Sequence, residues 1–252
     1  MVLVVGAIGA FVACTVGGLV GFASSLLLLP VLLLLDVPLW EAVSLNLALA
    51  VLTRLPSVIA LRAHVDVRRT ATMLAGTAPG IGIGLLLAAA VPSVGLELIA
   101  GAAVLLSGLY LLRARASAGD HRAPRGAATV LAGACSGALG VTTSLNGVPP
   151  AVLLARSGAT VQTRLADLSV FFVLGNCVTI AAIALTRGLP MMDGSSTIVV
   201  WLVAGMLGNV VGLRLAASVG EGLFDSMTIW LVLLSGTGSL AGTVWDVLQA
   251  AG

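Results

Sequence analysis

Long apolar stretches follow one another along nearly the whole chain, separated by short polar connections. Six of them are long enough to cross a bilayer as single helices, which takes about 20 residues. Two further stretches, about 1–35 and 127–155, are longer, and each is interrupted by glycine near its middle. The pattern predicts an all-α integral membrane protein. The six predicted helices are 40–62, 69–91, 94–113, 160–186, 195–217 and 223–248.

The two interrupted stretches contain the same kind of segment twice, 119 residues apart, at 17–30 and at 136–150. Superposing the copies aligns Gly21 with Gly140, and each copy places hydroxyl residues after this glycine and a proline at its end. Interrupted apolar segments at corresponding places in two halves are the best sequence indication of a transport site. The repeat therefore indicates that the transport site lies at these two segments.

A polar linker, 114–126, divides the chain into an N-terminal repeat, 1–113, and a C-terminal repeat, 127–252. If each interrupted segment is a re-entrant hairpin of two half-helices, ten of the twelve arginines lie on the cytoplasmic side. If each segment instead crosses the membrane, only eight do. The positive-inside rule favours the hairpins. Each half then has three crossings, which predicts an inverted repeat with both termini outside.

Each predicted hairpin combines glycine for the turn with hydroxyl groups for the returning helix. Glycine accepts positive φ, so we assign the turns to Gly21 in the first half and to Gly140 and Gly147 in the second. Hydroxyl side chains cap helix N-termini, whose free N–H groups attract anions. Two such termini meeting at the midplane would bind an anion without lysine or arginine. The predicted binding residues here are Ser24, Ser25, Thr142, Thr143, Ser144 and Asn146. The alternative is that these small residues serve only close helix packing.

Two more predicted binding residues, Asn46 and Arg54, lie within a predicted membrane helix. An arginine at the centre of such a helix costs about 2.5–3.5 kcal/mol on insertion scales. Arg54 could snorkel toward the cytoplasmic face, or it could act as an anion ligand or gate. Asn46, like Asn176 and Asn209, could equally form a hydrogen bond between helices.

One carboxylate, Asp167, also lies in an apolar stretch, three residues after Arg164. That spacing places both side chains on one helical face and favours an internal ion pair. If transport is coupled to protons, Asp167 is the candidate carrier. A sodium ion is the other candidate coupling ion.

Two glycine pairs, Gly80-x3-Gly84 and Gly208-x3-Gly212, occupy corresponding helices of the two halves. Glycines four residues apart form a groove that allows helix backbones to approach closely in membranes. We interpret both pairs as helix-packing grooves.

The composition supports the membrane class and argues against others. Hydrophobic residues make up 59% of the 252 residues and charged residues 9%, and the mean hydropathy is +1.16. The net charge of +2 is too small to indicate nucleic-acid binding. No motif for metal-dependent, nucleotide-dependent or serine-nucleophile catalysis is present, so we predict no enzyme, no cofactor and no metal.

The repeated glycine-rich segment ending in proline, the connection Arg62-Ala-His64-Val-Asp66 and the paired glycine grooves resemble the TauE/SafE sulfite exporter family. The resemblance covers essentially the whole chain. It implies a bacterial inner-membrane carrier for small anions such as sulfite, organosulfonates or short carboxylates. Family members commonly carry a glycine run where this chain has Phe22-Ala23-Ser24-Ser25.

The resulting hypothesis is a secondary transporter that binds a small anion between the two hairpin tips and works by alternating access. Its expected partners are the anion and membrane lipid, with a coupling ion and a homodimer left open. A passive anion channel and a non-transporting membrane assembly factor are the alternatives.

Overall fold

The computed structural model describes residues 2–35, 37, 39–116, 126–188 and 195–251. These residues form ten α-helices and one short 3₁₀ turn, Arg62–His64, with no strand among them. Most of the predicted linker, 117–125, lies outside the described residues. The helices are α1 Val2–Val20, α2 Ala23–Leu34, α3 Leu39–Leu61, α4 Val67–Ala90, α5 Ser93–Ala116, α6 Gly126–Thr143, α7 Val148–Ala155, α8 Val161–Arg187, α9 Ser195–Ala216 and α10 Glu221–Ala251.

Eight of the described helices are long and apolar enough to cross a membrane, while α2 and α7 are shorter. Large apolar side chains are exposed on the outer faces of these helices, as lipid contact requires; Leu106, Leu185 and Leu234 are examples. The predicted all-α integral membrane fold is confirmed. The six predicted single helices correspond to α3, α4, α5, α8, α9 and α10.

The first interrupted segment reverses direction, as predicted, at Gly21. This glycine has a φ of +90°, which L side chains rarely adopt. Beyond it α2 runs back along α1: Gly17 lies against Ser24, and Gly9 against Val31. The prediction of two half-helices was wrong for the first arm, because α1 has 19 residues. A glycine inside an apolar helix costs only about 1 kcal/mol, so the glycines before Gly21 remain helical.

The second segment also reverses, but the predicted turn at Gly140 was wrong. Gly140 is helical, and α6 continues through it to Thr143, which gives this arm 18 residues. The turn lies at 144–147, where Ser144 has a φ of +54° and Gly147 precedes α7. The absence of a side chain at Gly140 instead allows Asn146 to pack closely against α6, since a Cβ at Gly140 would lie 3.3 Å from the Cβ of Asn146.

The two halves are packed reciprocally through the predicted glycine grooves. Gly208 and Gly212 of α9 lie against the α1 backbone at Phe11 and Thr15, so these helices run in the same direction. The second groove makes the matching contact in the other half, with Gly80 of α4 against Ala134 of α6. The interpretation of both glycine pairs as packing grooves is confirmed.

The third helices of the halves, α3 and α8, pack against each other in opposite directions. The start of α8, at Val161 and Leu165, clusters with Leu61 near the end of α3. Ile183 near the end of α8 clusters with Val43 near the start of α3. This arrangement is what an inverted repeat would produce, and the inverted relation itself stays a prediction, as do the side of the termini and the domain limits.

Candidate functional site

The two hairpin turns meet inside the protein. A Cβ on Gly147 would lie 3.0 Å from the carbonyl oxygen of Phe22, which places the second turn directly against the first. Asn46 of α3 joins them: its Nδ2 donates to the Ser25 carbonyl at 3.0 Å and to the Ser144 Oγ at 2.9 Å. The structure thus brings together predicted site residues from both halves.

Arg54 lies against the first turn, with only 2% of its surface exposed. Its Nη1 donates to the Gly21 carbonyl, and its Nη2 donates to the Ser24 Oγ at 2.7 Å. The guanidinium also lies over the ring of Phe172, 4.4 Å from the centroid. The snorkelling alternative is therefore wrong, because the charged end turns toward the hairpin and not toward the surface.

At the second turn the corresponding contact is made by an amide. Asn146 Nδ2 donates to Asn176 Oδ1 of α8 at 2.6 Å, and the Asn146 carbonyl accepts from Ser136 Oγ at 2.6 Å. Asn176 lies fifteen residues after the start of α8, and Arg54 lies fifteen residues after the start of α3. Neither Asn176 nor Ser136 was among the predicted site residues. The sequence signal that could have identified Asn176 is a polar residue deep in an apolar stretch, since its match to Arg54 depends on helix starts that only the structure gives.

The polar side chains around the two turns form one buried cluster, which we call the turn cluster. Four of its polar atoms have no hydrogen-bond partner among the described residues. They are Arg54 Nε, Asn46 Oδ1, Asn146 Oδ1 and Asn176 Nδ2. Buried polar groups are nearly always hydrogen-bonded, because leaving one unpaired costs about 1–3 kcal/mol. The cluster therefore has unused donors and acceptors concentrated where the two turns meet.

Two predicted binding residues, Thr142 and Thr143, do not cap the returning helix. They close α6, and their hydroxyls donate back to its carbonyls, Thr142 to Ala138 at 2.8 Å and Thr143 to Leu139 at 3.2 Å. Thr143 also lines an apolar groove of about 450 Å³ between α2 and α10. The capping prediction failed because the turn lies after these residues, not before them.

The predicted anion site without arginine also needs correction. Two of the first three positions of α7 are Pro149 and Pro150, which have no N–H to donate, and Gly147 at the N-cap makes no side-chain cap bond. The N-terminus of α7 therefore offers fewer donors than an ordinary helix start. Arg54 places a full positive charge at the other turn instead.

The predicted ion pair between Arg164 and Asp167 was wrong. Arg164 donates to Asp225 of α10, whereas Asp167 accepts from Arg69 Nε at 2.7 Å and from the Asp66 backbone N–H at 2.8 Å. Their helical spacing allowed contact, but each side chain has a nearer partner on a different element. Asp167 thus holds α8 to the start of α4, and its part in proton coupling stays a prediction.

Removing the charge of Asp167 should weaken this connection. We expect Asp167→Asn to lower the free energy of unfolding by about 1–3 kcal/mol, because Arg69 loses a charged, fully buried acceptor. Reversible unfolding in detergent measures the change, with the exposed Glu221→Gln as the control. Equal stability of Asp167→Asn and the wild type would contradict the structural role.

Comparison with known proteins gave one match. The family model described as sulfite exporter TauE/SafE matches residues 6–238. Searches of curated proteins and of solved structures gave no significant match. The matched range contains both hairpins, both glycine grooves and the Arg54 site. The chain belongs to the TauE/SafE sulfite exporter family.

Proposed function

We propose that the protein is a secondary transporter that binds a small anion where its two hairpin turns meet. Sulfite, organosulfonates and short carboxylates are the proposed substrates. The observation that carries this proposal is Arg54, a buried cation with no carboxylate partner among the described residues. Family membership supports a transport function.

The energetics of a buried charge support an anionic ligand. Removing an ion from water costs several kcal/mol, and neutral hydrogen bonds offset only part of that cost. Arg54 has a carbonyl, a hydroxyl and an aromatic ring around it, while its Nε has no partner among the described residues. A bound oxyanion would neutralise the guanidinium and accept its free N–H in a charge-assisted hydrogen bond.

The packing of the hairpins supports alternating access. Each long hairpin arm packs on a helix of the opposite half, α1 on α9 and α6 on α4, so hairpin movement is tied to the other half. The polar atoms at the turns are buried, and a ligand reaches them only if the halves separate on one side. Rocking of one half against the other would open the site to each side in turn.

The remaining parts of the proposal concern location and coupling. We place the protein in the bacterial inner membrane with both termini outside, moving the anion together with a proton or a sodium ion. Assembly as a homodimer also remains part of the proposal. Saturable exchange of labelled anion in vesicles would favour a carrier over the alternative of a passive channel.

Transport in proteoliposomes tests the substrate class. Purified protein is reconstituted, and entry of sulfite, thiosulfate, sulfoacetate and short carboxylates is measured by exchange against internal unlabelled anion. We expect saturable exchange of at least one of these anions. The proposal would be overturned if the protein exchanged none of these anions.

The two turn hydroxyls should contribute to binding. We expect Ser24→Ala combined with Ser144→Ala to raise KM about tenfold, because each removed hydroxyl contributes roughly 0.5–1.5 kcal/mol. The control is Ser107→Ala combined with Ser218→Ala, whose hydroxyls bond, among the described contacts, only to carbonyls three or four residues earlier in the chain. An unchanged KM in the turn variant would remove these hydroxyls from the site.

A further inference from the structure

We infer that the site accepts an oxyanion with a single negative charge that also carries its own hydroxyl donor. Examples are a hydrogen oxyanion such as hydrogen sulfite, or a small hydroxy-carboxylate or hydroxy-sulfonate. This inference rests on the proposed function and makes its substrate class narrower. It follows from the charge of the cluster and from the chemical types of its unpaired atoms.

The charge of the cluster matches one negative charge. Arg54 is the cation that the described contacts place against the turns, and the other polar groups there are amides, hydroxyls and carbonyls. The carboxylate of Asp167 is already paired with Arg69. A monoanion would leave the buried site neutral. A dianion would leave one uncompensated charge, which is costly away from water.

The unpaired atoms include acceptors as well as donors. Asn46 Nδ2 faces the Ser25 carbonyl, which can only accept, so the unpaired atom of Asn46 must be its oxygen. Asn146 and Asn176 bond to each other, and exchanging the nitrogen and oxygen of both amides still leaves one donor and one acceptor unpaired. With Arg54 Nε included, two donor nitrogens and two acceptor oxygens of the site have no hydrogen-bond partner among the described residues.

A ligand that satisfies such a site must itself donate and accept. The anionic oxygens would accept from Arg54 Nε and from the free amide N–H of the Asn146–Asn176 pair. An O–H on the ligand would donate to Asn46 Oδ1 or to the free amide oxygen of that pair. A fully deprotonated oxyanion has no donor and would bring its oxygens against two carbonyl-type oxygens. Sites built to bond a hydroxyl discriminate strongly against analogues that lack it.

Matched competitors test the inference on the unmodified protein. Exchange of labelled sulfite is measured at equal pH on both sides of the membrane, in the presence of unlabelled competitors. Inhibition by glycolate is compared with inhibition by propionate, and inhibition by 2-hydroxyethanesulfonate with inhibition by propanesulfonate. Each pair has the same charge and nearly the same shape but differs by one hydroxyl. We expect the hydroxylated member to compete about tenfold more strongly, the gain of roughly one well-made hydrogen bond. We also expect sulfite exchange to fall as pH rises and hydrogen sulfite loses its proton.

Two variants assign the effect to the amide oxygens. Asn46→Ala and Asn146→Ala should each reduce the preference for the hydroxylated competitor toward unity, and exchange of the competitors themselves shows that the variant is folded. The inference would be overturned if, in the wild-type protein, the two members of each competitor pair inhibited equally and sulfite exchange did not change with pH. The proposed function would survive that result as long as exchange still depended on Arg54, and it would fail separately if no anion were exchanged.

Discussion

Replacement of Arg54 by glutamine is expected to reduce anion exchange at least about thirtyfold. Glutamine can still donate a hydrogen bond to the first turn, but it carries no charge and has no guanidinium fork. Losing one partner of a buried charged contact costs about 2–5 kcal/mol, which corresponds to this reduction or more. The fold should persist, because a neutral side chain avoids the desolvation cost of a buried cation. Exchange in proteoliposomes and thermal unfolding in detergent measure the two effects.

Two further variants separate charge from position. Arg68→Gln also removes one positive charge, but Arg68 is exposed at the start of α4. Anion exchange by this variant should therefore match that of the wild type. Arg54→Lys keeps the charge but lacks the planar guanidinium fork, so its rate of anion exchange should lie between those of the wild type and Arg54→Gln. Wild-type exchange by a folded Arg54→Gln protein would show that the anion binds elsewhere.

The second large effect is expected for Gly80→Leu, which should prevent α4 and α6 from packing. A Cβ at Gly80 would overlap the carbonyl oxygen of Ala134, and backbone cannot move aside as a flexible side chain can. Overpacking usually costs about 1–3 kcal/mol, and contact with backbone places this variant at the upper end. The stability lost is measured from the unfolding midpoint in detergent, together with the yield of folded protein.

Gly82→Leu is the matched control for this helix. Gly82 lies two residues further along α4, is exposed, and has nothing within 4 Å of the position that a Cβ would take. The same substitution there should not lower the free energy of unfolding, and leucine's higher helix propensity should raise it by up to about 1 kcal/mol. Equal loss in both variants would mean that the added side chain itself, and not its contact with α6, decides the outcome.

Sequence patterns predicted the features that depend on local chemistry or on repetition. Apolar length predicted the helices, the duplicated segment predicted two chain reversals, and the need for positive φ located the first turn at Gly21. Glycine spacing predicted the packing grooves on α4 and α9. These signals do not require knowledge of which distant residues meet.

The predictions that failed depended on such distant contacts. Superposing the two copies placed the second turn at Gly140, but a helical glycine there makes room for Asn146, and the reversal occurs beyond Ser144. Arg164 and Asp167 share a helical face, yet partners on α10 and at the start of α4 are nearer. Arg54 looked able to reach the surface because its helix end was near, whereas the hairpin turn offers it acceptors inside.

The pairing of α1 with α9 also determines the order in which the protein can be assembled. α6 can dock as soon as it is made, because α4 precedes it in the chain. In contrast, α1 ends at Val20 and α9 begins at Ser195, so α1 must wait in the bilayer while the intervening helices are translated. Its apolar window, Leu3–Val20, is long enough to reside there alone. The first hairpin can therefore complete its packing against α9 only late in biosynthesis.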